Sequence, residues 1–187
     1  MKRFLTLLAV AALLTAGSAY AQSDAAKAVA KPAAGRIQAE FARNLDAAGD
    51  KILQLAQAVP AEKYTWRPAE GVRSFSEAFL HAAGGNYFLT SFTGAKIPEG
   101  IDLKTFETST TKKEEVIAAL KKSMEHAKSV ANGMTDGDLD TNVKWFLGEA
   151  SKREILFVTA SHAHEHLGQL IAYARMNGIT PPWSKKD

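Results

Sequence analysis

The chain carries five histidines and no cysteine, so a transition-metal site in it must be built from imidazole, carboxylate and water rather than thiolate. His162, His164 and His166 fall within one short run. On a helix each residue turns by about 100°, which puts His166 only about 40° round from His162 and His164 about 200° away. Residues at i and i+4 stack one above the other, the spacing that a single metal ion can bridge. His164 shares the opposite side with Arg175 and is expected in solvent. Alone, the pair fits a hydrogen-bonded core as readily as a metal site. His81 shifts that balance, because it lies in a helical stripe with Ala78, Gly85 and Phe88 and is followed closely by Gly84 and Gly85. Two glycines inside a helix cost about 1 kcal/mol each relative to Ala, which implies that something must approach the backbone closely. Burying three imidazoles without partners is expensive. A divalent cation satisfies all three as neutral ligands and leaves positions open for water or substrate.

Two further readings concern the neighbours of these residues. Gln169 and Tyr173 lie on the same stripe and are candidates for positioning substrate. Glu165, about 60° off the stripe, and Glu77, one turn before His81, are candidates for orienting imidazole N–H groups. Plainer roles fit equally well: Gln169 and Tyr173 can pair with each other, and Glu77 can cap its helix. His126, beside Lys122 and Glu125, is expected at the surface. His164 and Glu165 begin like the zinc-protease pattern HExxH, but Gly168 stands where the second histidine belongs, which excludes that chemistry.

The elements that must hold these residues are helical. Ile37, Phe41, Leu45, Ala48, Ile52, Leu55 and Val59 recur at three- and four-residue steps, a stripe that must end before Pro60. Ser74 with Glu77, Thr111 with Glu114, and Ser151 with Glu154 each match a capping box. Three more helices are therefore expected, over residues 75–92, 112–131 and 152–177, stopped by Gly94, Gly133 and Gly178 in left-handed caps. A loop through Pro60 and Pro68 is anchored by Tyr64 and Trp66. No window alternates, so no sheet is expected, and the fold class is all-α, a four-helix bundle with a long connection before the last helix. That connection, Met134 to Ala150, carries Trp145 and Phe146 and is a candidate lid or rim.

Composition limits the function classes. With 23 Lys and Arg against 20 Asp and Glu in 187 residues, the net charge of +3 is too weak and too evenly spread for a nucleic-acid binder. Lys2 and Arg3, the apolar run Phe4 to Ala16, and Ala19-Tyr20-Ala21 together form a Sec signal peptide. The apolar run falls short of the roughly 20 residues that span a bilayer, so no stable membrane anchor is expected after cleavage. Removing residues 1–21 takes the charge from +3 to +1. Residues 22–34, rich in Ala, Lys and Ser, are expected to form a flexible leader, residues 35–183 the bundle, and 184–187 a short tail. The expected location is periplasmic or secreted.

The segments "SFSEAFLHAAGGNYF" and "HAHEHLGQLIAYARMNGITPPW" resemble the DinB-like family of four-helix-bundle proteins over roughly Arg36 to Trp183. The most specific part is HxxxHxGQ, here His162, His166, Gly168 and Gln169, together with His81. The resemblance implies that His81, His162 and His166 bind a divalent metal, zinc or nickel, with water completing the shell. It also implies kinship with thiol-dependent enzymes such as mycothiol-dependent maleylpyruvate isomerase and bacillithiol transferases. Leu167 stands where many members carry Arg, so no role of that Arg transfers. Export sits poorly with thiol cosubstrates that are mainly cytosolic, and thiol transfer is not carried over.

The leading reading is thus an exported metal-dependent hydrolase or transferase acting on a small molecule, with water acidified by the metal as nucleophile or base. A non-catalytic module that binds a metal or small ligand is the alternative, and a structural bundle with hydrogen-bonded core histidines is the third reading. No nucleic-acid partner is expected, and a homodimer is left open.

Overall fold

A computed structural model describes residues 35–184; the proposed signal peptide, the leader and the last three residues lie outside them. Four long helices carry the fold: α1 (Arg36–Ala58), α2 (Phe75–Ser91), α3 (Lys113–Asn132) and, after a short α4 (Asp136–Leu139) and a hairpin of β1 (Asn142–Trp145) and β2 (Gly148–Ser151), α5 (Lys152–Met176). Each long helix packs on two neighbours, α1 and α2 both against α3 and α5, so α1 lies diagonal to α2 and α3 to α5. The chain is an all-α four-helix bundle.

The α1 stripe faces inward as its spacing requires: Phe41, Leu45, Ala48, Ile52, Leu55 and Val59 are buried. Each large aliphatic side chain so buried contributes about 1.5–3 kcal/mol. The α1 end is closed by Lys113 of α3, whose Nζ donates to the carbonyls of Gln57 and Val59 at 2.7 and 2.9 Å. Helix carbonyls without an intrahelical partner need such a donor. In the loop that follows, the buried Tyr64 hydroxyl donates to Ala56 O at 2.7 Å, which anchors the chain before α2.

The helix boundaries are set by caps, and here the structure both matches and departs from the sequence expectations. Ser74 and Glu77 form a complete capping box at α2. At α5, Ser151 Oγ accepts from Glu154 N, the hydroxyl half of the motif, while Ser151 itself ends β2 opposite Asn142. At α3 the expected Thr111–Glu114 box does not form. The helix starts at Lys113 behind Lys112 with no side-chain cap, and Thr110 Oγ1 accepts from Lys112 N and donates to Glu115 just ahead of it. Gly94 and Gly178 adopt positive φ as expected, and at Gly178 the bond from Ile179 N to Ala174 O closes α5 in a Schellman turn. Gly133 instead keeps a right-handed φ of −79°, because the chain turns on through Met134 into α4 rather than leaving the helix.

The expectation of no sheet is corrected by the β1–β2 hairpin, which pairs Asn142 with Ser151 through to Trp145 with Gly148. Its strands are four residues each, too short for alternation to register. The tip residues, Phe146 and Leu147, lack the Asn-Gly type signal of two-residue turns, and the positive φ falls on Gly148 instead. Among the described residues no helix is long and apolar enough to cross a membrane.

Candidate metal centre

The site forms where α2 and α5 meet, and Gly85 makes the meeting possible. A Cβ at position 85 would stand 2.1 Å from His162 Cε1 and 2.5 Å from its Nδ1. Only a residue without a side chain lets that ring lie against the α2 backbone. Gly84, one residue earlier, faces Phe106, where a Cβ would stand 3.2 Å from Cδ1, tight but much less so than at Gly85. The helix-weakening glycine pair thus accommodates a ligand ring on one side and a core aromatic on the other.

His81, His162 and His166 come together so that one nitrogen from each lies within 4.8 Å of the others. Ring centroids are 5.2 Å apart for His81 and His162, 4.5 Å for His81 and His166, and 4.4 Å for His162 and His166. His166 is buried and the other two are half-buried.

Hydrogen bonds fix two of the three tautomers. Glu107 Oε2 lies 2.8 Å from His81 Nδ1, and Arg73 clamps the same carboxylate from the other side. Burial works to raise the Glu107 pKa, but the bonds from Arg73 and His81 outweigh it and hold the carboxyl below its ordinary value. An ionised Glu107 can only accept, so His81 Nδ1 carries the proton and its lone pair sits on Nε2. In the same way Gln169 Nε2 donates to the Tyr173 hydroxyl at 3.0 Å, which turns its Oε1 toward His166 Nδ1 at 2.8 Å. His166 therefore donates through Nδ1 and keeps a lone pair on Nε2. Tyr173 is itself held edge-on against Trp66 and Phe75, each with ring centroids at 5.6 Å.

His162 differs from the other two. Its Nδ1 is buried without a hydrogen-bond partner, and its Nε2 lies 3.3 Å from His81 Nε2. Burial, then the neighbouring His166, His81 and Arg73, push its pKa down to about 3. Burial also lowers the pKa of His166, against the opposing pull of its Gln169 bond. Both rings are accordingly neutral at physiological pH, the state in which imidazole ligates a metal. Ligands bound tetrahedrally at about 2.0–2.1 Å stand about 3.4 Å apart, which matches the His81–His162 separation of 3.3 Å. Donor chemistry, protonation and spacing all fit a divalent ion.

The remaining residues singled out by sequence are distributed as follows. Gln169 and Tyr173 pair with each other and, through Gln169, orient His166. Glu165 is exposed and reaches His166 through charge alone, favouring its protonated form. Glu77 does not touch His81: its carboxylate accepts from Ser74 N at 2.6 Å and from Arg67 at 3.1 Å. The orienting acid is Glu107, which sits in a 3-10 turn at Phe106–Thr108, outside any periodic element. His164 is exposed. His126 is not a plain surface residue. It is half-buried, with its ring 5.1 Å from Tyr87 and its Nε2 buried without a partner, and burial lowers its pKa. Phe88, expected inside the bundle, is 41% exposed and packs against Phe92 and Phe146.

A cleft of about 440 Å³ opens onto the site and is lined by His81, His162, Glu107, Phe88, Phe106 and Phe146 among others. Arg73, Glu107 and Gln169 also line a separate polar cleft with Arg67 and Glu77. A groove of about 520 Å³ along α1 and α5 contains His164 and Phe157 but none of the three clustered histidines.

Comparison with known proteins fits this architecture. No curated protein matches the chain. A crystal structure of a DinB-like protein from Bacillus cereus ATCC 10987 superposes with a TM-score of 0.67 at 18% identity, covering 76% of this chain and 93% of that one. The DinB-like protein YjoA from Bacillus subtilis gives 0.60 at 20% identity, covering 75% and 93%. At these identities the likeness establishes the fold. A family model described as the DinB superfamily matches residues 44–170, which takes in all three clustered histidines. The chain belongs to the DinB superfamily.

Proposed function

We propose that this protein is an exported metal-dependent enzyme in which His81, His162 and His166 hold a divalent ion, zinc or nickel, for hydrolysis or group transfer on a small molecule. The observation that carries this reading is the tautomer control. Glu107 and Gln169 each engage an Nδ1, so the Nε2 lone pairs of His81 and His166 remain available beside His162. Such outer contacts raise ligand basicity and fix ring orientation. When bound, the ion supplies Lewis acidity and brings the pKa of a water toward 7. The chain's own residues do the rest. Arg73 keeps Glu107 ionised, Glu107 retains the proton on His81 Nδ1, and Tyr173 fixes the Gln169 amide so that His166 cannot rotate. The 440 Å³ cleft at His81 and His162 gives a substrate access to the same point.

The experiment is elemental analysis of the purified protein and of His81→Ala. About one equivalent of metal is expected in the wild type, with loss in the variant while the fold is retained. Metal-free wild type, with His81→Ala equally stable, would sink the proposal. Export is supported by Lys2, Arg3 and the run Phe4 to Ala16. It is tested by the mature N-terminus, expected at Gln22.

Glu107 also favours a second reading. Its carboxylate is engaged by both Arg73 and His81, and so is poorly placed to serve as a general base, as in a module that binds without turnover. Hydrolysis of a panel of esters and amides that disappears with chelator and in His162→Ala would select the enzyme. Tight metal binding without turnover would select the module.

A further inference from the structure

The cleft beside the three histidines combines polar and apolar chemistry. It is lined by the polar His81, His162 and Glu107, by the apolar Leu80, Phe88, Leu89, Leu103, Phe106 and Phe146, and by one cation, Lys104. Two of these aromatics are exposed to an unusual degree. Phe88 is 41% and Phe146 59% accessible, and the adjoining tip residue Leu147 is 72% accessible. Large apolar groups at a hairpin tip, where Asn, Asp and Gly are preferred, gain nothing from water. Here they are held in place: Phe146 packs on Phe88, Phe92 and Trp145 with ring centroids at 5.8, 5.8 and 4.7 Å. Gly84 and Gly85 of α2 also line it, presenting backbone rather than side chains. A volume of about 440 Å³ suits a small molecule, since ligand pockets run to about 300–1,000 Å³.

From these observations we infer that the substrate is a small molecule with an apolar, preferentially aromatic, body. The body lies between Phe88, Phe106 and Phe146, and the polar, reacting end faces His81 and His162. The inference rests on the metal-site reading for what happens at the polar end, but the apolar subsite stands on its own residues. The β1–β2 hairpin then has a function in the bundle: it carries Phe146 to the rim of the cleft and completes a wall that α2 alone leaves open.

The test holds the head group constant and varies the body. Acetate, hexanoate and 4-phenylbutyrate are titrated into the purified protein, followed by calorimetry and by the fluorescence of Trp145, whose ring adjoins Phe146. Saturable binding is expected, strengthening from acetate through hexanoate to 4-phenylbutyrate. Phe146→Ser and Phe88→Ser, both at exposed positions, are each expected to weaken 4-phenylbutyrate about tenfold or more, the effect of losing about 1.4 kcal/mol of apolar contact. Phe157→Ser, which removes a still more exposed phenylalanine from the α1–α5 groove, is expected to change nothing. Equal affinity for the three acids overturns the inference, as does a Phe157→Ser effect matching that of Phe146→Ser. Binding of phosphatidylglycerol vesicles through Phe146 and Leu147, without saturable binding of the acids, would assign the tip to a lipid surface and also overturn it. Metal content measured on the same samples separates the two readings. Metal without 4-phenylbutyrate binding refutes the apolar subsite alone, whereas 4-phenylbutyrate binding by a protein that takes up no metal refutes the metal site and leaves the subsite intact.

Discussion

Gly85→Ala tests the site through a single methyl group. Its Cβ would stand 2.1 Å from His162 Cε1, 2.5 Å from Nδ1 and 3.0 Å from Nε2. Ordinary contact begins near 3.4 Å, so the imidazole must retreat by more than about 1 Å, well beyond the roughly 0.2 Å within which metal–ligand distances hold. His162 is then lost as a ligand, and metal affinity is expected to fall at least about 100-fold, or about 2.7 kcal/mol. The fold should survive. Replacing a mid-helix glycine by Ala contributes up to about 1 kcal/mol of helix stability, which offsets part of the roughly 1–3 kcal/mol of overpacking. Gly84→Ala is the matched control, because its Cβ meets Phe106 Cδ1 at 3.2 Å and asks only a few tenths of an ångström of that ring. Competition against a chromophoric chelator gives the affinities, and circular dichroism verifies the helices. Wild-type metal affinity in a folded Gly85→Ala protein would refute the argument that the glycine exists to admit the His162 ring.

Other expectations follow from the same contacts. Glu107→Ala removes the acceptor on His81 Nδ1 and should weaken metal binding about 10–100-fold, with Glu107→Gln weaker in effect because its amide oxygen still accepts; equal affinity in all three proteins, by the same competition assay, would remove Glu107 from the site. Tyr173→Phe keeps the packing on Trp66 and Phe75 but frees the Gln169 amide, so a small fall in metal affinity is expected with a stability change of no more than about 1.5 kcal/mol in denaturant titration. Metal at about 100 times its Kd should stabilise the protein by about 2.7 kcal/mol, or roughly 5–10 °C in Tm at this chain length, and chelator should reverse the shift. In the chelated protein, His162 has a folded pKa of about 3 against the ordinary 6.5, so the unfolded chain takes up its proton first. Stability should therefore be flat in this group's contribution above pH 6.5 and decline toward pH 3 by up to about 1.4 kcal/mol per pH unit for each such proton; a Tm that rises on acidification through that window would contradict the burial of a neutral His162.

Which features were legible in the sequence follows from where periodicity exists. The α1 stripe from Phe41 to Val59 and the i, i+4 pair of His162 and His166 are regular because a helix repeats, and the repeat says which side chains share a face before any neighbour is known. The Gly84–Gly85 pair was legible for a different reason, since an intrinsic helix penalty implies a contact that requires it. Glu107 and Arg73 had no such mark. They lie in the loop between α2 and α3 and just ahead of the α2 cap, and no spacing ties a loop acid to a histidine 26 positions away. Glu77, the acid that helical spacing did suggest, was already committed to Ser74 N and Arg67. His126 shows the converse error. Its sequence neighbours Lys122 and Glu125 are polar, yet it lies only about 60° round the helix from Ser123, which is fully buried, and Tyr87 of α2 covers that edge. The hairpin escaped because four-residue strands are too short for a period of two to show. The division is a physical one. Ligands must stand on rigid elements to converge within a few tenths of an ångström, so they inherit helical spacing. The groups that orient them need only reach the far nitrogen of each ring, and Glu107 does so from a turn that Arg73 clamps from outside the helix. A sequence therefore displays the ligand set of such a centre more readily than the hydrogen bonds that decide which nitrogen of each ring is free to bind.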